Sequence, residues 1–106
     1  MDNLSEEFKK KIANLYSKKR QKLDEIDPQA LELFASEVLD AIKQEKERTR
    51  SSHDLEVLEQ SMKHLKQDSA TLRKLKPNTD DYDFTHNDCK SLINSTKRWL
   101  RIEKLI

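Results

Sequence analysis

Leu4, Phe8, Ile12, Leu15, Tyr16, Leu23 and Ile26 fall at steps of three, four or seven, so the first quarter of the chain carries one apolar stripe of helical period. Asn3 stands before it as the expected N-cap, with Glu6 in the capping-box position three residues on. Asp27-Pro28 closes this element and opens the next. Proline disfavours the α conformation in the residue before it, yet fits the first helical turn, where Asp27 can cap. With so short a connection, the first two helices are expected to meet at a bend at Asp27-Pro28 rather than in a tight hairpin.

The second stripe runs through Leu31, Phe34, Ala35, Val38, Ala41 and Ile42. Lys43 to Arg50 is wholly polar and is expected to project beyond the core. Ser51 and Asp54 stand in S-x-x-D register, a restart signal. Leu55, Leu58, Met62, Leu65, Ser69 and Leu72 then alternate steps of three and four, a heptad seam. Arg73, Lys74 and Lys76 suit the negative end of a helix dipole, and Pro77 ends the run.

Residues 77–83 contain Asp80, Asp81 and Asp83 and read as an acidic loop. The last helix is expected from Thr85, with Asp88 in the capping-box position and Phe84 stapled onto Cys89. Cys89, Leu92, Ile93, Thr96, Trp99, Leu100 and Ile106 cover nearly half its circumference, so it should be the most buried helix. The pattern predicts an all-α, four-helix bundle-like single domain over 1–106, with helices about 4–26, 28–50, 52–76 and 86–105.

Composition narrows this picture. The chain has no glycine, which removes the usual φ > 0 residue of hairpins, phosphate loops and nucleophile elbows. Apolar residues make up 34% and charged residues 39%, so the core should be modest and helped by a partner or self-association. A net charge of +1 gives no global field toward nucleic acid or an anionic membrane. A lone Cys89 excludes an intrachain disulfide and suits a reducing compartment. No apolar run is long enough for a membrane span, and the N-terminus lacks a secretory pattern. An intracellular protein of cytoplasm or nucleus is expected.

Candidate sites come from faces. Leu33 and Val57 project away from their stripes, and with the seam residues Leu55, Leu58, Met62 and Leu65 they form the candidate partner interface. Packing of the seam within the bundle is the simpler account of it. On the last helix Lys90, Lys97, Arg101 and Lys104 fall together without an acid among them. Such a ridge suits phosphates or an acidic protein, although an ordinary solvated face is the simpler account of it. Lys18-Lys19-Arg20-Gln21-Lys22 has the look of a nuclear-localisation cluster, but the basic residues of this helix scatter around its circumference.

His86 and Cys89 make half of a zinc site with no second cysteine to complete it, so no metal or cofactor is expected. His64-Leu65-Lys66-Gln67-Asp68 in a four-helix chain resembles histidine phosphotransfer domains in general plan. It departs from their motif, since Lys66 follows His64 by two residues rather than three and no glycine comes after. No catalytic constellation and no small-molecule site is evident. The expectation is a non-catalytic subunit or adaptor that pairs with another protein or a second copy of itself. The alternative is a nucleic-acid- or chromatin-associated factor using the last helix.

Overall fold

Ser5 starts the first helix. Its hydroxyl accepts from the Phe8 backbone N–H at 3.1 Å, which satisfies one of the amides a helix N-terminus leaves open. The computed structural model describes residues 4–48 and 53–106. In it α1 spans Glu6–Asp24, α2 Pro28–Arg48, α3 His53–Lys74 and α4 Asp80–Ile102, and no strand occurs among the described residues. The all-α four-helix bundle expected from the periodicity is present. Asn3 and Ser51, the expected caps, lie outside the described residues, as do Thr49, Arg50 and Ser52.

The joint between α1 and α2 falls at Asp27-Pro28, but it is sharper than the expected bend. Ile26 adopts φ 57°, and the Asp27 N–H reaches Lys22 O at 3.0 Å while the Ile26 N–H reaches Leu23 O at 3.2 Å. This is a Schellman ending. Asp27 Oδ1 then accepts from the Gln29 N–H at 3.1 Å and caps α2. The chain reverses within three residues, so α1 and α2 pack antiparallel along their lengths, tied by Lys11–Gln44, Lys19–Glu37 and Glu7–Arg48. With no glycine available, Ile26, Asn78 and Lys104 all take positive φ. For the β-branched Ile26 this costs roughly 1–2 kcal/mol, offset by burial of its side chain.

Every predicted stripe residue of α1, α2 and α3 is buried, in one continuous core that also takes in Cys89, Ile93 and Leu100 of α4. Tyr16 and Phe34 meet edge-on, with ring centroids 6.4 Å apart. The most buried helix is α2 and not α4. It lies between α1 and α3, whereas Leu92 and Trp99 of α4 are only partly covered and Ile106 is exposed.

The tail of α2 also departs from expectation. Glu45 is 2% exposed and accepts from both the backbone N–H and the hydroxyl of Ser5, at 2.8 and 3.0 Å. Lys46 pairs with Glu59 of α3 at 2.7 Å and pulls that carboxyl below its ordinary range. Glu45 and Lys46 are packed because they find partners on the neighbouring elements, while Lys43, Gln44, Glu47 and Arg48 stay exposed as expected.

The start of α4 is a second correction. Thr79 caps the helix through the Tyr82 N–H at 3.2 Å, and Asp80, Asp81 and Asp83 form the first turn instead of an acidic loop over 77–83. Three carboxylates at the positive end of the helix dipole explain why the segment is helical. Phe84 and Cys89 therefore sit inside one helix, about 140° apart, and form no staple. Phe84 faces solvent and Cys89 the core. No helix of the described residues is long and apolar enough to cross a membrane.

Candidate functional site: the face shared by α3 and α4

Antiparallel packing of α3 on α4 creates two features absent from either helix alone. The first is a shallow apolar groove. Val57, Leu58 and Ser61 of α3 line one wall, and Ser95, Thr96 and Trp99 of α4 the other, with Asp54 at the end. Val57 is 51% exposed. On the α4 wheel Ser95, Trp99 and Ile102 lie within about 60° of one another. Exposed Ile102 therefore continues the strip to the helix end.

The second feature is a polar cluster farther along the same helix pair. His64 and Asp68 are one turn apart on α3, and α4 brings Asp88 against them. His64 Nε2 lies 2.8 Å from Asp88 Oδ2 and 3.2 Å from Asp68 Oδ2. A ring nitrogen carries at most one hydrogen, so it cannot serve both carboxylates. Asp68 Oδ2 is buried and is left without a well-directed hydrogen bond. Burial first, then the hydrogen bond and charge of Asp88, push the Asp68 carboxyl up to about 6, against a smaller opposing pull from His64. Cys89 lies beneath this cluster, fully buried, and burial together with the two aspartates pushes its thiol up to about 12. A thiol so held is inert as a nucleophile.

The candidate interface residues divide. Leu55, Leu58, Met62 and Leu65 are core residues of this chain, as the simpler account had it. Leu33 and Val57 are both half-exposed, but they belong to separate surfaces. The Arg73–Glu32 and Lys46–Glu59 ion pairs set the α2–α3 register. In that register the two positions stand about 15 residues apart along the bundle, roughly 22 Å. Leu33 instead borders an α1–α2 groove with Lys18, Lys19 and Lys22.

The basic ridge of α4 is interrupted. Lys97 reaches Asp24 of α1 at 2.8 Å and is partly buried. The hydrogen bond to Asp24 holds its ammonium above the ordinary lysine range, with smaller contributions from Tyr16 and against the cost of burial. Lys104 lies past the helix end in the left-handed conformation. Lys90 and Arg101 remain exposed. Lys9 of α1 meets Glu103, the C-cap of α4, at 3.1 Å, and that contact raises its pKa in the same way. His86 stacks on Tyr82.

Sequence reasoning missed Glu45 as the buried acceptor for Ser5, and the meeting of Asp68 and Asp88 at His64. The one signal available was the four-residue spacing of His64 and Asp68, since the place of Asp88 depends on the α3–α4 register. No family model, curated protein or solved structure matches the chain.

Proposed function

We propose that this chain is a non-catalytic helical subunit of a multiprotein assembly, and that it binds an amphipathic helix of a partner protein on its α3–α4 face. The observation that carries the reading is the apolar strip of Val57, Trp99 and Ile102, left open along a groove whose walls are otherwise small and nearly uncharged. A half-exposed valine beside a partly buried tryptophan is the kind of anchor surface that apolar helix residues fill. Among the described residues lining the groove only Asp54 carries a formal charge, so the partner helix needs an apolar stripe more than a particular charge.

A nucleic-acid role for α4 draws less support. With Lys97 engaged by Asp24 and Lys104 past the helix end, Lys90 and Arg101 are left to meet phosphates. Two such contacts correspond to a salt slope of only about −2.

The test is a pair of charge insertions. Val57→Glu with Ile102→Glu is expected to weaken co-purification with the partner at least tenfold, about 1.4 kcal/mol. Circular dichroism should stay unchanged, because both positions are exposed. Leu33→Glu, on the separate α1–α2 surface, should leave partner binding intact. Equal loss in both variants would overturn the assignment to α3–α4. Light scattering of the purified chain distinguishes a second copy of itself from a different protein.

A further inference from the structure

His64, Asp68 and Asp88 can each offer one ligand atom, and these three atoms lie within 4.8 Å of one another. The two edges at His64 Nε2, 2.8 and 3.2 Å, bracket the ligand spacing of an octahedral site and fall just short of a tetrahedral one. With bonds of about 2.1 Å, neighbouring ligands stand about 3.0 Å apart in an octahedron and about 3.4 Å in a tetrahedron. The electrostatics point the same way. Two carboxylates converge here, and among the described residues neither is ion-paired with a lysine or arginine. A dication balances both charges and also engages the buried Asp68 Oδ2 that His64 leaves unserved.

We propose that His64, Asp68 and Asp88 bind a first-row transition dication of the zinc or cobalt class, clamping α3 to α4. Imidazole with two carboxylates suits Zn2+, Co2+ or Ni2+, whereas Mg2+ and Ca2+ prefer all-oxygen sites. Three protein ligands leave at least one position for water, and the half-exposed His64 ring puts that position at the solvent edge. Cys89 is fully buried, and its Sγ is not among the converging ligand atoms. The site is separate from the apolar groove and does not depend on the partner reading.

The ligands must shed their protons to bind metal, so affinity should fall in acid. The experiment uses the full chain, freed of metal with a chelator. Co2+ is titrated at pH 7.5 and followed by its visible absorption, and Zn2+ is followed by thermal unfolding. One equivalent of Co2+ is expected to saturate with Kd below about 0.1 mM. Zn2+ at 100 times Kd should shift the unfolding equilibrium about a hundredfold. His64→Ala, Asp68→Asn and Asp88→Asn should each weaken Co2+ binding tenfold or more, while His86→Ala leaves it unchanged. Circular dichroism of Asp68→Asn, which preserves side-chain volume, separates ligand loss from unfolding. No saturable binding below 1 mM, or undiminished binding in a folded Asp68→Asn or His64→Ala variant, would overturn the site.

Discussion

Replacing Glu45 by alanine is expected to cost the fold about 2–4 kcal/mol. The carboxylate is 2% exposed and takes two hydrogen bonds from Ser5, one of them from a backbone N–H at the start of α1. Helix N-termini leave such amides without intrahelical partners, and in a capping box a glutamate three residues into the same helix fills the role. Here the glutamate comes from α2, forty positions along the chain. Its removal orphans a covered amide, worth about 1–3 kcal/mol, and leaves a void between α1 and α2. For a domain of this size each kcal/mol moves Tm by about 4–8 °C, so a fall of 10 °C or more should appear in thermal unfolding. Glu45→Gln keeps an acceptor and the volume, and should lose about half as much. A change within about 0.5 kcal/mol for the alanine variant would mean that water satisfies Ser5 as well as Glu45 does.

Asp68→Asn is expected to act in the opposite direction, stabilising the metal-free chain at pH 8 by about 1–2 kcal/mol. The carboxyl is raised from 3.8 to about 6 in the folded state, so the native chain holds this proton more tightly than the unfolded chain does. Stability from this group is fully present below about pH 4 and is lost as pH rises through 6. The whole shift corresponds to a ceiling of about 3 kcal/mol, and the attraction of the charged form to His64, which asparagine forfeits, lowers the net gain. Urea unfolding from pH 4 to 8 in a chelating buffer should show the two proteins alike at the acid end. Their difference should open between pH 4 and 6 and stay level above 7. Destabilisation of the variant at pH 8 would show that the ionised Asp68 is held by the fold and not merely tolerated. Added Zn2+ should narrow or reverse the difference, because only the aspartate can act as an anionic ligand.

The two effects illustrate what a linear sequence conveys about this fold. Stripes such as Leu55, Leu58, Met62, Leu65 and Leu72 announce burial, because each depends only on the 3.6-residue period of its own helix. The Asp27-Pro28 junction was equally plain from local chemistry, although the full reversal rests on Ile26 taking a conformation that its β-branched side chain disfavours. The start of α4 was misread because Asp80, Asp81 and Asp83 suit a solvated loop and a helix N-terminus alike. Thr79 decides between the two by capping Tyr82. Charged residues were the least legible. Glu45, Asp68, Asp88 and Lys97 each depend on a partner from another helix, and Lys97 and Asp24 are 73 positions apart. Their roles follow from inter-helix register, which periodicity leaves open. The half-exposed Leu33 and Val57 were recognised correctly as off-stripe, yet only the α2–α3 register separates them into two surfaces.

The central claim is that the α3–α4 face receives a helix of another protein, and cross-linking at single positions tests it most directly. A photoreactive phenylalanine analogue placed at position 57 should, in cells of the source organism, link the chain to one protein species. The linked peptide should map to an amphipathic helical segment of that partner, and Ile102→Glu should abolish the link. The same probe at position 33, or at the exposed Lys90, should give no such product. A probe at position 57 that yields only the unlinked chain, or the same scatter of products as position 90, would contradict the account.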